Sequence, residues 1–473
     1  MSGASSCGRP GSTITAAPKD VTAMPARRDP PPPLDGEIRF DQQTQAAAAD
    51  DFGHIVHRLP EGVLLPASGQ DVATTIRWAA RRGHQLAPQG QRHSAFGRAQ
   101  VRGGIVIDMS RLRTVQRVQS DRVVADAGAT WSEVLAATLP RGLTPPVLTD
   151  YLGLSVGGTL VVGGVGGAIS RFGLQSDNVI DMQIVTGTGQ QVTCSPTSNA
   201  DLFDAVRAGL GQVGVITRAT IRLVPAPQQV RRFLLFYPDL RTMLQDERKL
   251  AGDNRFDAVQ GAVLAAPTGG WTFRLDAVKE FTGNPPDDKA LLTGLSDDRP
   301  QAQPSTIPYH DYLTRLAMLE KALRSNGQWF FPHPWLTTFI GDSTVEPLVS
   351  GQLVELTPTD LGAFGQVVLS PFRRRSVTSP LLPLPSDDLC YAFNLVRIPT
   401  TDSVAEAGRL MTANRAVYDR VRAAGGTLYP VSAFPMSGDD WREHFGSAFA
   451  QLSDAKQKYD PGGVLTPGYE IFS

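Results

Sequence analysis

The chain has 473 residues, of which 41% are hydrophobic, and its 45 basic and 46 acidic side chains give a formal net charge of −1. This length predicts two domains that share a substantial core. A nearly neutral chain with no long basic run lacks the electrostatic features of nucleic-acid-binding proteins, so we expect no nucleic-acid partner. The three cysteines, Cys7, Cys194 and Cys390, lie far apart in the sequence and predict neither a disulfide framework nor a metal site.

The first segment, residues 1–36, is rich in Ser, Thr, Ala and Pro, which predicts a disordered tail. The Arg27-Arg28 pair is followed by Asp29 and a run of prolines instead of an apolar stretch, so we expect no export signal. The most apolar stretch, residues 156–169, is shorter than the roughly 20 residues that span a bilayer. We therefore expect a cytoplasmic protein that is not associated with a membrane.

Short strands and helices alternate after this tail. Hydrophobic patterning predicts a strand at 63–66, a helix at 68–82, extended segments at 86–88, 105–109 and 122–126, and a helix at 130–139. The last of these helices begins with a capping box, Thr130-Trp131-Ser132-Glu133. Next come a predicted hairpin at 178–194, a helix at 201–208 and a strand at 215–223. This alternation predicts an α+β fold.

A glycine motif follows the helix at 201–208. Residues 209–214, Gly-Leu-Gly-Gln-Val-Gly, match the Gly-x-Gly-x-x-Gly pattern of dinucleotide-binding proteins. In those proteins the pattern follows a strand and opens a helix, so that the pyrophosphate meets the helix N-terminus. Here the predicted order is helix, glycines and strand. We therefore interpret these glycines as residues that end the helix and let the chain pass near a ligand.

The sequence changes character after Val224-Pro225-Ala226-Pro227, which predicts a domain boundary. Residues 231 to 399 contain strand-like runs, an acidic and Pro-rich loop at 285–300, and an aromatic cluster at 329–335. We expect this region to bind the substrate. A helix is predicted at 404–424, and the final segment is rich in turn-forming Pro and Gly.

Three groups of residues indicate the chemistry. Asp150 directly precedes a Gly-rich run that a large planar cofactor can approach, Thr-Asp-Tyr-Leu-Gly-Leu-Ser-Val-Gly-Gly-Thr-Leu at 149–160. His93 lies in the turn Gln-Arg-His-Ser at 91–94, and the chain ends with Thr-Pro-Gly-Tyr at 466–469. Taken singly, Asp150 has the alternative role of a capping or turn residue, and His93 that of a surface or structural histidine. Together they resemble the cytokinin dehydrogenase group of FAD-linked oxidoreductases, within the vanillyl-alcohol-oxidase-like flavoprotein superfamily.

This resemblance implies a two-domain PCMH-type fold. Residues 37–225 and 401–473 are expected to bind FAD, and residues 226–400 to form a substrate domain built on an antiparallel sheet flanked by helices. The resemblance also implies that FAD is joined covalently to His93, and the backbone N–H groups of residues 90–94 are a predicted nest for its pyrophosphate. Further cofactor contacts are expected at Gly90, Gln91, Arg92, Ser94, Asp150, Ser155, Val161, Val165, Val215, Tyr429, Thr466 and Tyr469. Core packing remains the alternative for the three valines.

The same resemblance makes Asp150 the catalytic residue, which accepts a proton or hydrogen bond from a secondary amine while hydride leaves the adjacent carbon. Two substrate positions depart from the family, because Gln260 replaces a glutamate and Val377 a tryptophan. We expect an FAD-dependent oxidoreductase that acts on a cytokinin-like N6-substituted adenine or a related small molecule, with a quinone or oxygen as electron acceptor. The alternatives are a tailoring oxidase of another alcohol, amine or natural product, and a non-redox cyclase that keeps flavin as a scaffold.

Overall fold

The computed structural model describes residues 30–472. Most of the predicted tail, residues 1–29, therefore lies outside the described residues, as does Cys7. Near the start of the described range, hydrogen bonds attach the chain to the helix that contains Asp71. The backbone N–H groups of Asp35 and Gly36 donate to the two carboxylate oxygens of Asp71 at 3.0 and 2.9 Å.

The first sheet is mixed and carries the loop that contains His93. Its region consists of β1 (Glu37–Arg39), α1 (Gln42–Ala48), β2 (Gly62–Leu65), α2 (Gly69–Ala80), β3 (Leu86–Gln89) and β4 (Ile105–Asp108). The strand order is β1-β2-β4-β3, with β2 and β3 parallel to β4. The helix predicted at 68–82 is confirmed: the Ser68 side chain accepts from the N–H of Asp71 at its start, and Val72 and Ile76 are buried. The loop after β3 emerges at the carboxyl end of this parallel pair.

The second sheet is antiparallel. Its region contains β5 (Val115–Val118), β6 (Arg122–Asp126), α3 (Trp131–Thr138), β7 (Leu143–Thr144), α4 (Val156–Leu160), α5 (Ile169–Phe172), β8 (Val179–Thr186), β9 (Gln191–Cys194), α6 (Ala200–Val206) and β10 (Gly214–Arg222). The strand order is β5-β6-β10-β8-β9. The predicted capping box between Thr130 and Glu133 is confirmed, and so is the hairpin, formed by β8 and β9. Helix α4 is the Gly-rich run that follows Asp150.

The segment between α6 and β10 has the predicted order of helix, glycines and strand. Ala208, Leu210 and Gly211 have φ angles of 57°, 58° and 68°, so the chain leaves the helix through left-handed conformations. A dinucleotide-binding fingerprint requires a helix after the glycines. The strand that follows here therefore excludes that arrangement, and Gly211 and Gly214 instead line a cavity described below.

The chain then builds a large antiparallel sheet after β11 (Val224–Pro225), which pairs with β7. The remaining elements are β12 (Gln229–Tyr237), α7 (Leu240–Asp253), β13 (Ala258–Ala265), β14 (Trp271–Phe281), α8 (Asp288–Leu292), β15 (Gln303–Pro308), α9 (Tyr309–Leu313), α10 (Ala317–Ser325), β16 (Leu336–Gly341), α11 (Asp342–Glu355), α12 (Pro358–Leu361), β17 (Gln366–Arg373), β18 (Leu389–Val396), α13 (Val404–Ala423), β19 (Thr427–Leu428), α14 (Gly438–Phe445) and α15 (Ala448–Tyr459). The strand order is β15-β12-β14-β13-β17-β18-β16-β19. The chain thus mixes helices with largely antiparallel sheets, as the sequence predicts.

Side chains of this large sheet alternate between two faces. One face is hydrophobic: Phe233, Val263 and Leu275 are fully buried, and α7 packs against β13 and β17. The opposite face, called here the polar face, carries charged and amide side chains, among them Gln260 on β13 and Arg274 on β14. The polar face is directed at the first part of the chain and forms the floor of a cavity.

The last residues return to the first two sheets. Leu465 forms a parallel bridge with Leu86 of β3. A buried ion pair holds the turn before it, because the ammonium group of Lys456 lies 2.6 Å from the carboxylate of Asp460 and also donates to the carbonyl of Gln212 at 2.8 Å. None of the helices between residues 30 and 472 is both long and apolar enough to cross a lipid bilayer.

We expect the buried imidazole of His444 to make the protein less stable in acid. It lies on α14 beside Trp441 and Phe445, neither ring nitrogen has a hydrogen-bond partner among residues 30–472, and burial lowers its pKa to about 3. The unfolded chain, with an ordinary pKa of about 6.5, binds the proton first as pH falls, so this group removes roughly 2 kcal/mol of stability at pH 5. His444→Leu should therefore raise the Tm relative to wild type by more at pH 5 than at pH 8.

Differential scanning fluorimetry across this pH range measures the effect. The matched control is His310→Leu, because the side chain of His310 is 62% exposed. Its Tm difference from wild type gives the baseline at each pH. A His444→Leu difference that does not vary with pH relative to this baseline would show that the imidazole does not titrate on unfolding.

Candidate active site

Two cavities lie side by side where the first part of the chain meets the polar face of the large sheet. The cofactor cavity is lined by residues between 88 and 99, 154 and 165, 210 and 216, and 429 and 469. The substrate cavity has a volume of about 490 Å³, which is typical of small-molecule sites, and the polar face forms its floor. His93, Leu154, Val165 and Trp335 line both cavities, so they form the wall between them.

The structure brings nearly all of the predicted cofactor residues to the cofactor cavity. The residues that line it are Gly90, Gln91, Arg92, His93, Ser94, Ser155, Val161, Val165, Val215, Tyr429, Thr466 and Tyr469. Asp150 lines the substrate cavity instead. The cofactor cavity is thus assembled from the first sheet, the second sheet and the C-terminal segment, which lie far apart in the sequence.

The loop that carries His93 passes very close to the Gly-rich run. A Cβ atom on Gly90 would lie 1.9 Å from the hydroxyl oxygen of Ser155, so this position accepts only glycine without rearrangement. Arg92 has a φ of 54°, in the left-handed region that favours glycine. The bulky residue at this position is therefore accommodated at a conformational cost of about 1–2 kcal/mol.

The side chain of Asp51 holds the His93 loop in place through hydrogen bonds. Its buried carboxylate accepts hydrogen bonds from the Ser94 hydroxyl and the Gly97 N–H, both at 2.7 Å, and from the Gly53 N–H at 3.1 Å. Burial raises the pKa of Asp51 to about 6, although these hydrogen bonds act in the opposite direction. Sequence analysis did not identify Asp51, because nothing near it in the sequence indicates that it contacts the His93 loop.

The next residue, Phe52, connects the His93 loop to the substrate region. Its ring stacks on His93 at 4.1 Å between centroids and on His333 at 4.2 Å. The Nδ1 atom of His333 donates to the carbonyl of Phe52 at 3.1 Å, which fixes the tautomer of this imidazole. On its other side His93 stacks on Tyr151 at 4.9 Å. Burial, together with His333 and Arg324, lowers the pKa of His93 to about 3, so the imidazole is neutral at pH 7.

Asp150 lies in the substrate cavity and is held by residues distant in sequence. Its Oδ1 atom is 2.5 Å from a guanidinium nitrogen of Arg315, and its Oδ2 atom is 3.4 Å from Nε2 of Gln260. Both partners are side chains from the region of the large sheet, which argues against a local capping or turn role. The side chain remains 40% exposed, so a ligand in the cavity can reach it. Arg315 belongs to no sequence motif and was not predicted.

The two predicted substrate positions have different surroundings. Gln260 lines the substrate cavity and contacts Asp150. Val377 lines neither cavity and packs against a hydrophobic cluster that contains Leu174 and Phe372. A 3₁₀ turn, Arg374–Ser376, lies between β17 and Val377. Val377 is therefore not among the substrate contacts that we propose.

The cofactor cavity fits the anionic, planar cofactor that the resemblance implies. Arg98 lines it and is 4% exposed, and its Nε atom has no hydrogen-bond partner among the described residues. Burial lowers the pKa of Arg98 to about 10, which still leaves the guanidinium charged at pH 7. A buried cation with an unsatisfied donor is suited to a diphosphate. Gly157 and Gly158 of the α4 run also line this cavity.

We expect Asp51→Ala to lower the FAD content of the purified protein. The change removes the acceptor of the two hydrogen bonds from Ser94 and Gly97 that hold the His93 loop, and hydrogen bonds to charged groups contribute about 1.5–3 kcal/mol. Retention of FAD should weaken about tenfold or more, measured as flavin absorbance per polypeptide. Asp311→Ala is the control, because it removes a carboxylate whose side chain is 62% exposed. Equal flavin content in the two variants would contradict the assigned role.

Comparisons with known proteins agree with this geometry. Residues 60–195 match the family described as FAD binding domain, and residues 287–472 match that described as Cytokinin dehydrogenase 1, FAD and cytokinin binding. An uncharacterized oxidoreductase, ORF5 in the fasciation locus of Rhodococcoides fascians, is 42% identical over 93% of this chain and 99% of its own length. Cytokinin dehydrogenase 10 of Oryza sativa subsp. japonica is 35% identical over 92% of this chain and 88% of its own length. Cytokinin dehydrogenase 2 of Arabidopsis thaliana is 30% identical over 94% and 95%, respectively. The chain therefore belongs to the cytokinin dehydrogenase family of FAD-dependent oxidoreductases.

Proposed function

We propose that the protein oxidises a C–N bond of a secondary amine, in the class of cytokinin-like N6-substituted adenines. The observation that carries this proposal is the position of Asp150. Its carboxylate is exposed in the substrate cavity, and its neighbour in the chain, Tyr151, stacks on His93 in the wall between the two cavities. A substrate nitrogen that is hydrogen-bonded to Asp150 therefore lies on the side of the substrate cavity that adjoins the cofactor cavity.

Asp150 is suited to receive the substrate N–H. Arg315 binds its Oδ1 atom and fixes the orientation of the carboxylate, while the longer contact of Oδ2 with Gln260 leaves Oδ2 able to accept a hydrogen bond. Bound FAD supplies the hydride acceptor for the carbon next to this nitrogen. As the hydride leaves, the carboxylate stabilises the positive charge that develops on nitrogen, and the resulting imine is hydrolysed by water.

The walls of the substrate cavity support this chemistry by limiting access of water. Phe52, Trp329 and Trp335 lie within one aromatic cluster around His93. A low-dielectric surrounding strengthens the interaction between Asp150 and a developing cation. The two electrons removed from the substrate require an acceptor, for which we propose a quinone or oxygen.

A second candidate keeps FAD and the hydride chemistry but changes the substrate to another amine, alcohol or natural product. The amide of Gln260 and the charged floor of the cavity favour this candidate, because both alter the recognition of an uncharged purine. Anaerobic incubation with a substrate panel distinguishes the two, since the compound that bleaches the flavin is a substrate. A third possibility, a non-redox cyclase that retains flavin as a scaffold, requires that no compound bleaches it.

The role of Asp150 is tested by Asp150→Asn. We expect this variant to retain its FAD, because Asp150 does not line the cofactor cavity, and to reduce the flavin roughly 10²-fold or more slowly. Stopped-flow absorbance under anaerobic conditions gives the rate. Asp311→Asn, in which the same change is made at a side chain that is 62% exposed, should react like wild type. An unchanged rate in Asp150→Asn would assign Asp150 a structural role.

We further propose that His93 carries FAD covalently, supported by its neutral imidazole in the wall of the cofactor cavity. The intact mass of denatured wild type should then exceed that of the polypeptide by one FAD, and His93→Ala should have the mass of the polypeptide alone. His310→Ala, at an exposed histidine, should keep the adduct. A bare polypeptide in wild type, or an adduct in His93→Ala, would exclude the link.

A further inference from the structure

Among the described residues that line the substrate cavity, one guanidinium group has no carboxylate partner. Arg232 makes a bidentate pair with Asp276, with nitrogen to oxygen distances of 2.9 and 2.6 Å. Arg315 pairs with Asp150 at 2.5 Å. The third carboxylate in the cavity lining, that of Glu320, is bound at 2.8 Å by Arg324, which lies outside the lining. Every carboxylate of the substrate cavity within the described range is therefore already paired.

Arg274 is the guanidinium of this lining that has no partner among residues 30–472. It makes no ion pair and no hydrogen bond with any described residue, and its Nε atom is buried without an acceptor. Burial lowers the pKa of Arg274, Asp276 opposes this change, and Arg232 adds to it. A partly buried cation whose Nε has no acceptor is costly, and a ligand anion offsets that cost by supplying the missing acceptor.

The neighbours of Arg274 leave room for such an anion. In the sheet register Arg274 lies opposite Ala262 of β13, and Ala262 lies opposite Val368 of β17. These small and apolar side chains offer no competing acceptor. Asp276 lies opposite Gln260, which contacts Asp150. Arg274 is therefore displaced by two residues along the strand, about 7 Å, from the Gln260–Asp276 pair, whose Gln260 contacts Asp150.

We propose that the substrate carries an anionic group, a carboxylate or a phosphate, which Arg274 binds on the floor of the cavity while the carbon to be oxidised lies near Asp150. This inference rests on the proposed function and narrows its substrate class. The planar guanidinium can bind either anion through two parallel hydrogen bonds. A neutral adenine derivative would leave Arg274 unpaired and is expected to bind less tightly than its anionic counterpart.

Two pairs of probes, each with one anionic and one neutral member, test this inference with the FAD-loaded protein. The first pair is N6-isopentenyladenine with a carboxypropyl group on N9 and the methyl ester of that acid. The second is N6-isopentenyladenosine and its 5′-monophosphate. Calorimetry under anaerobic conditions measures each Kd. For the wild type we expect the anionic member of at least one pair to bind about tenfold to a hundredfold more tightly than the neutral one. The pair with the larger ratio of neutral to anionic Kd shows whether the bound anion is a carboxylate or a phosphate.

Substitutions at Arg274 link the preference to this residue. Arg274→Met should reduce the ratio of the two Kd values to near one, and Arg274→Lys should retain part of it because the charge remains but the bidentate geometry is lost. Lys also serves as the second variant if Met lowers the Tm. Arg241→Met removes the same charge from an exposed side chain outside the cavity and should keep the ratio of wild type.

The outcomes separate this inference from the proposed function. Equal binding of the charged and neutral probes by wild type, or a preference that persists in Arg274→Met, would overturn the assignment of an anion site. Anaerobic bleaching is recorded in the same samples. Preferential binding through Arg274 without any bleaching would support the anion site and contradict amine oxidation. Bleaching by both members of a pair with equal Kd values would support amine oxidation and contradict the anion site.

Discussion

The buried carboxylate of Asp51 is the group on which the geometry of both cavities depends. It accepts hydrogen bonds from Ser94, Gly97 and Gly53, and so it holds the loop of His93 against the segment between α1 and β2. The ring of Phe52, the next residue, extends this contact to His333 in the other half of the molecule. Asp51 and Phe52, which are adjacent in the chain, therefore hold both the cofactor loop and the substrate region in position.

The large sheet adds a second constraint, because its strands alternate between a hydrophobic and a polar face. An antiparallel sheet covered by helices on one side can present charged groups on the other without disturbing the core. The pair of Arg232 with Asp276 uses this freedom, and the pair of Arg315 with Asp150 lines the same cavity. In each pair the guanidinium and the carboxylate bind each other instead of a ligand. The selectivity of the cavity is therefore determined by its unpaired polar groups.

The parts of this structure that the sequence predicts are those fixed by near neighbours. The capping box at Thr130, the hairpin of β8 and β9 and the glycine turn before β10 depend on interactions within a few residues. The Ser94 to Asp51 and Arg315 to Asp150 contacts join residues 43 and 165 positions apart, and no local pattern indicates them. Val377, predicted to contact the substrate, lines neither cavity, and the hydrophobic cluster that it joins includes residues remote in sequence such as Leu174.

The C-terminal turn has a consequence for how the protein acquires its cofactor during synthesis. Thr466 and Tyr469 line the same cavity as Gly90, and the hydroxyl of Thr466 donates to the carbonyl of Gly211 at 2.7 Å. The ion pair of Lys456 with Asp460 holds that turn in place. The cavity walls are thus incomplete until the ribosome has translated residue 469 and that residue has left the exit tunnel. Nascent chains shorter than this present only part of the flavin-binding surface.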